Sequence, residues 1–248
     1  MDSIYALSLS AMQQDMERVD RVALNMANIA TPGYKREVSV TLPFAELVAG
    51  DTSASLAPLA SAAVKRLDMR SGSLRTTGSP LDVAITTDGY FEVRTPDGVA
   101  YTRNGSFRRD EHGRLVTSQG YAVMGRDGEI VLPANDPLIE ANGAIVDSDA
   151  TNRSRVATNP QIKVVKFDDV RGMQRLGEGL YSAGIGPKTL GESDPCLRQG
   201  SLETSNVSSA QEMIDLMQTM RHFESQQKVL QGYDDLLGIA LHKLGDLS

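Results

Sequence analysis

Two long amphipathic stretches at opposite ends of one chain constrain this fold most, because each carries an apolar stripe that must be covered by something. From Ser209 to Leu247 the positions Met213, Leu216, Met220, Phe223, Gln227, Leu230, Asp234, Leu237, Leu241 and Leu244 advance by alternate steps of three and four. Eight of the ten are apolar, the repeat expected of a helix with one buried stripe. Met217, Val229, Tyr233, Leu236 and Ala240 widen the stripe beyond a two-stranded seam, so more than one packing partner is expected. Ser209 with Glu212 three residues later fits a capping box at the start.

Between residues 3 and 30 the same pattern recurs. Tyr5, Leu9, Met12, Met16, Val19, Ala23, Met26 and Ala30 step by four and three, with Gln, Asp, Glu and Arg filling the other face. Thr31-Pro32-Gly33 stops the helix, because the residue before proline is pushed out of helical angles and glycine accepts the position after a helix. The terminal helices are expected to pair and hold the rest of the chain. Alone they make a thin layer that leaves apolar side chains wet, at about 1.5–3 kcal/mol for each large one. Packing against the same pair in neighbouring copies removes that cost.

The segment from Tyr34 to about Arg66 has Ala-, Ser- and Thr-rich stretches and no period, and reads as an extended or irregular connector that orders against a partner. The middle, from about Leu67 to Glu203, is strand and turn. Leu81–Ile85, Tyr90–Arg94, Ala100–Arg103 and Gln161–Phe167 are strand-like runs, the last the clearest. Asn104-Gly105 reads as a two-residue hairpin turn leading into Ser106-Phe107-Arg108, and Glu111-His112-Gly113, Gly125–Gly128 and Asn142-Gly143 are further turns. Turn signals at short spacing without helical segments point to an antiparallel β domain.

Composition narrows the function. A net charge of −7 and no cluster of Lys and Arg argue against nucleic acid or an anionic membrane as partner. The single Cys196 rules out an intrachain disulfide and reads as a small buried hydrophobe. No apolar run approaches a membrane span, and the N-terminus has no cleavable signal pattern, so the chain is expected either to stay inside the cell or to leave by a route without a cleaved signal. The Asn-x-Ser triplets at Asn104, Asn152 and Asn206 read as chance.

Chemistry finds little footing. His112, His222 and His242 lack a second ligand at metal spacing, and the glycines at Gly177 and Gly179 lack the third glycine and the following helix of a phosphate loop. The aspartates sit at turns and strand ends, where Asp bonds local backbone. No catalytic residue, cofactor or metal is assigned.

Three ordered motifs carry a resemblance. Val22–Arg36, with Asn25, Ala27, Asn28, Thr31, Gly33 and Tyr34, resembles the N-terminal signature of bacterial flagellar rod and hook proteins. Gly78–Ile85 and Tyr101–Phe107, with Asp110 and Gly113–Val116, match the middle of that family. Gln199–Val207, with Gly200, Leu202, Glu203, Ser205, Asn206 and Val207, matches its C-terminal signature. Leu24 stands where the family has Asn, and Asp88-Gly89-Tyr90-Phe91 where it has Gly-x-Gly-Phe-Phe. Length, the Met1-Asp2 start and the modest middle are most like the proximal rod member, with the distal rod member as sibling.

The resemblance implies an α+β fold. Residues 1–30 and 207–248 would form a terminal core paired as an antiparallel coiled coil, 31–66 a connector and 67–206 a central antiparallel β domain. It implies a structural subunit of the basal-body rod in the periplasm. Subunit packing would run through Tyr5, Leu9, Met12, Met16, Val19, Met26, Met213, Leu216, Met220, Phe223, Leu230, Leu237, Leu241 and Leu244. The partners implied are other copies, neighbouring rod proteins and the flagellar type III export apparatus, with Phe44 and Val48 similar to the gate-recognition motif. The alternatives are a distal rod or hook subunit, or a secreted β-rich binding module or hydrolase that oligomerises through its helices. If the apolar stripes are covered only on assembly, both termini of a dilute purified monomer should be cut rapidly by protease; resistance at both ends would contradict this.

Overall fold

A computed structural model of the chain describes residues 2–41, 63–132, 137–147, 160–191 and 196–245. The fold is α+β, with one helix at each end and a central antiparallel β domain. Two compact units result: one contains both terminal helices, and the other comprises Asn28–Ser39 with Lys65–Val207.

In the helical unit, α1 (Asp2–Ala27) contains neither Gly nor Pro, so nothing interrupts its hydrogen-bond ladder. It ends three residues before the expected Ala30. Thr31 donates its backbone N–H to the Asn28 carbonyl (3.1 Å), and the Thr31 hydroxyl donates to Asn28 Oδ1 (3.2 Å). Asn28 thus offers the chain a turn in place of another helical step.

The second helix, α2 (Ser209–Gly245), is the longer. Its first backbone bond runs from Glu212 N–H to the Ser208 carbonyl (3.0 Å), which places the cap one residue before Ser209. Asn25 bonds Glu212 and Asp15 bonds His222, so α1 and α2 lie side by side and antiparallel.

In the β unit the Tyr90–Thr95 strand is the organising element. It forms a hairpin with Gly98–Thr102 on one edge. On the other edge Val93 and Arg94 face the Ala122–Gly125 strand, while Tyr90 and Phe91 face Val164–Asp169. Tyr90 through Val93 are all buried, as expected of a strand covered on both faces. Phe91 and Val93 point into one core with Val83, Phe107, Leu115 and Ile145. Tyr90 points to the opposite face with Tyr101, Phe167 and Tyr181, the two-residue alternation of a strand. Edge-to-face aromatic pairs lock both sides, Phe91 on Phe107 at 5.0 Å and Tyr101 on Phe167 at 4.9 Å between ring centroids.

Most sequence turns appear where expected, with Gly113, Gly128 and Gly143 at positive φ. Asn104-Gly105 is different. The strands flanking it do not pair with each other; Gly98–Thr102 pairs with Tyr90–Thr95 and Leu180–Tyr181, and Phe107–Arg109 pairs with Leu115–Thr117. Gly105 passes so close to the Val83 strand that a Cβ would overlap the Val83 carbonyl oxygen. Here glycine is needed for close approach rather than for a tight turn. The strand expected over Gln161–Phe167 begins at Val164, because Gln161 and Ile162 form isolated bridges to Ala144 and Gly125.

The connector divides. Residues 34–36 lie in the β unit, Glu37–Thr41 pairs with Ala63–Leu67 as a two-stranded sheet, and residues 42–62, including Phe44 and Val48, lie outside the described residues. Among the described residues no helix is long and apolar enough to cross a membrane.

Tyr181, fully buried, accepts the Lys35 backbone N–H at 3.0 Å. Burial pushes its phenol up to about 12, against the pull of the Lys35 hydrogen bond. The folded value lies above the ordinary 10.0, so this contribution to stability is whole below pH 10 and is lost as pH rises toward 12. The loss is about 2–3 kcal/mol. Urea midpoints measured from pH 9 to 12 should fall more steeply in the native chain than in Tyr181→Phe; parallel slopes would contradict the burial argument.

Candidate functional site

The N-terminal and C-terminal motifs meet inside the β unit. After the Val83–Ile85 strand has paired with Leu197–Gln199, the returning chain turns at Gly200, whose φ is +68°, and pairs again as Ser201–Glu203 with Leu74–Thr76. Both carbonyl and N–H of Gly200 are used: Gly200 N–H donates to Asp82, and Thr77 and Gly78 donate to Gly200. The corner sets Glu203 facing the other motif. Gly33 N–H donates to the Glu203 carbonyl at 2.8 Å, at a φ of +68°. A side chain there would overlap the Arg103 backbone, which explains a glycine after Pro32.

Two residues on, Lys35 enters a closed pocket. Its Nζ donates to Glu203 Oε1 at 2.7 Å and to the Arg70 carbonyl at 2.9 Å. The same Glu203 oxygen accepts Gly72 N–H at 2.9 Å. Arg103 lies 3.3 Å from Glu203 Oε2, but spends its Nη1 hydrogen bond on the Thr87 carbonyl. All three charged side chains are at most 2% exposed. Arg103 Nε and Glu203 Oε2 have no hydrogen bond. Burial holds the Lys35 ammonium below its ordinary range, opposed by the attraction of Glu203.

Around this cluster the motif residues close the joint. Asn206 donates its amide to the Asp68 and Arg70 carbonyls at 2.8 and 2.9 Å, and its Oδ1 accepts Arg36 N–H at 2.7 Å. Tyr34 is buried beneath the Arg175 guanidinium, 4.4 Å from its ring centre, and Arg175 donates to the Lys35 carbonyl. Ser205 Oγ accepts Val207 N–H, and Leu202 and Val207 are buried. Asn25 and Ala27 belong to the helical unit, where Asn25 is fully buried and donates to Glu212 at 3.3 Å. The joint is a set of fixed hydrogen bonds with no group presented to a substrate.

In the helical unit the seam between α1 and α2 is polar. Among the described residues Ser8, Asp15, Asn25, Glu212 and Thr219 are buried, with Val22 as the apolar member. Asp15, almost fully buried, lies 2.5 Å from His222 Nδ1 and 3.8 Å from Arg18. Of the residues assigned to subunit packing, Met12, Val19, Met26, Leu216, Phe223 and Leu230 are half-buried. Leu9, Met16, Met213 and Met220 are 48–61% exposed. The apolar stripe is therefore wider than the face that the partner helix covers: one flank packs and the other faces outward. Tyr5, Leu237, Leu241 and Leu244 fall in the helices, with side chains outside the described residues.

The rival hydrolase reading asks for a cleft with converging carboxylates. A cavity of about 340 Å³ in the β unit is lined by Gly78, Ser79, Pro80, Pro137, Leu138, Gln199 and Gly200, and these supply no carboxylate. Among the described residues no three His, Cys, Asp or Glu side chains gather as a metal site. Cys196 is buried in the β core.

Sequence reasoning did not single out Lys35, Arg103, Tyr181, Asp15 or His222 as site residues. Lys35 stood inside a quoted motif, but its partner Glu203 lies 168 positions away and only the fold brings them together. Of the polar seam, Asn25 stood in a motif and Glu212 in a capping box, but nothing paired them, and Asp15 read as part of a solvated face.

Residues 84–163 match the family described as flagellar hook protein FlgE/F/G D1 domain, and residues 198–242 the family described as flagellar basal body rod FlgEFG protein C-terminal. The flagellar basal-body rod protein FlgG of Borreliella burgdorferi is 34% identical, over 93% of this chain and 94% of its own. FlgF of Escherichia coli is 34% identical over 97% of each chain, and FlgF of Mesorhizobium japonicum 31% identical over 100% and 99%.

The joint itself can be tested by removing the carboxylate between Lys35 and Arg103. Glu203→Ala leaves two buried cations facing each other, and breaking a buried ion pair in this way costs about 3–5 kcal/mol. Urea unfolding followed through the β unit's tyrosines should show that loss; a change under about 1 kcal/mol would mean the cluster is hydrated.

Proposed function

Because the chain belongs to the FlgF/FlgG family of flagellar basal-body rod proteins and is a structural subunit of that rod, we propose that it is the proximal-rod member, FlgF, and polymerises through its terminal helices. The outward apolar flank carries this reading: Leu9 and Met16 on α1, and Met213, Met217 and Met220 on α2, are each about half exposed or more. A chain that hid these side chains within itself would need no neighbour. Here the partner helix covers the polar seam, and copies of the chain supply the cover for the rest.

The family is structural, and none of the matched families is catalytic. Assembly with other rod subunits in the basal body follows from membership. The finer statements belong to the proposal: pairing of α1 and α2 as a coiled coil, contact between copies in a helical array that does not close on itself, and torque borne by those contacts in the periplasm. So does passage through the flagellar type III export gate, read by Phe44 and Val48.

The proximal reading is supported by FlgF relatives that cover 97% and 100% of the chain. FlgG of Borreliella burgdorferi, 34% identical, favours the distal reading as the second. Labelling the subunit in purified basal bodies separates them, since the label falls at the membrane end of the rod in one case and at the hook end in the other.

Burying a large apolar side chain contributes about 1.5–3 kcal/mol, and a carboxylate in its place is far costlier to cover. Leu9→Asp combined with Met213→Asp should therefore abolish motility and remove the subunit from isolated basal bodies, with the urea midpoint of the β unit unchanged. Motile cells with the variant in their rods would overturn the assembly reading.

A further inference from the structure

Of the nine methionines among the described residues two are buried, three (Met12, Met26 and Met69) are half-buried and four are exposed. Met124 and Met173, inside the β unit, are 8% and 4% exposed. Met16, Met213, Met217 and Met220 are 61%, 52%, 56% and 48% exposed, and all four stand on the helices. Met213, Met217 and Met220 follow one another at i, i+4 and i+7 on α2, hence on one face. Met16 reaches that face from α1: it lines a groove of about 220 Å³ together with Asp15, Val19, Asp20, Met220 and Phe223.

We infer that these four thioethers are an oxidation-sensitive site that decides whether the free subunit can assemble. The inference rests on the reading of this face as the contact between copies. The chemistry requires only a hydroperoxide. A thioether sulfur attacks the terminal peroxide oxygen, the S–O bond forms as the O–O bond breaks, and water or an alcohol leaves with the transferred proton. Sulfur loses two electrons and the peroxide gains them.

The product is a methionine sulfoxide, polar and chiral where the side chain had been apolar and flexible. In the groove this sets an S=O dipole against Val19 and Phe223, and no donor among the lining residues is placed to satisfy it except through water. Covering that dipole with a neighbouring copy carries the cost of burying an unpaired polar group. A subunit inside the rod has these sulfurs covered, so the sensitive state is the free chain. Methionine sulfoxide is reducible, and the block is therefore reversible.

The test treats the purified full chain with dilute hydrogen peroxide, follows each methionine by peptide mass spectrometry and measures self-association by sedimentation velocity. Met16, Met213, Met217 and Met220 should convert about tenfold faster than Met124 and Met173. Self-association should then need about tenfold more protein, and methionine sulfoxide reductase should restore it. The variant Met16→Leu, Met213→Leu, Met217→Leu, Met220→Leu keeps the volume and apolarity of the face, and should associate whether or not peroxide is added. Treated native chain that associates as well as untreated chain overturns the inference and leaves the assembly reading standing. Equal conversion of the buried and helical methionines overturns it as well. Untreated chain that stays monomeric at all concentrations overturns the assembly reading, and the inference falls with it.

Discussion

The single carboxylate of Glu203 is the interaction on which the rest of the β unit's closure depends. It faces two buried cations, Lys35 and Arg103, and accepts a backbone N–H from Gly72. A buried charge cluster is weak evidence for stability in itself, since desolvation offsets much of the Coulomb gain. Its value lies in specificity. Few arrangements of the chain can satisfy Lys35, and this one requires the residues just after α1 to lie against the residues just before α2. Gly33 N–H on the Glu203 carbonyl, and the Asn206 side chain on the backbone of Arg36, Asp68 and Arg70, repeat the same demand. The segment that follows α1 and the segment that precedes α2 thus meet at one place in the β unit.

The helical unit mixes polar and apolar residues in an unusual way. Among the described residues its most buried seam holds Ser8, Asp15, Asn25, Glu212 and Thr219 with Val22, while one apolar flank is half-buried and the other faces outward. A seam of this kind fixes register, because Asn25 meets Glu212 and Asp15 meets His222 at only one alignment. It supplies little of the apolar burial that would make a free pair robust. On the assembly reading proposed above, the apolar energy is left for contacts between copies.

Much of this was legible in the sequence. Heptad steps at both ends named the helices, and turn signals named an antiparallel middle, because both are local properties. Asn104-Gly105 misled for a reason that is also physical: glycine serves close approach as well as tight turns, and the Val83 carbonyl it approaches is distant in sequence. The helical stripes were visible, but which flank faces the partner helix depends on a rotation of about one residue that the pattern leaves open. Lys35 and Glu203 were both within recognised motifs, yet their pairing needs the return strand through Gly200 to be in place. The polar seam was the least legible feature, since a buried Asp15 or Glu212 cannot be told from an exposed one without its partner.

Native-state hydrogen exchange tests the central claim about the joint most directly. The amides of Gly33, Lys35 and Gly72, bonded to Glu203 and Tyr181, belong to connecting segments, which ordinarily exchange by local opening. If the buried cluster binds both motifs into the β core, these three amides exchange as slowly as that of Val93 in the central strand, and only through global unfolding. Fast exchange at Gly33 and Lys35 while Val93 stays protected would show that the joint opens on its own, and would contradict the account.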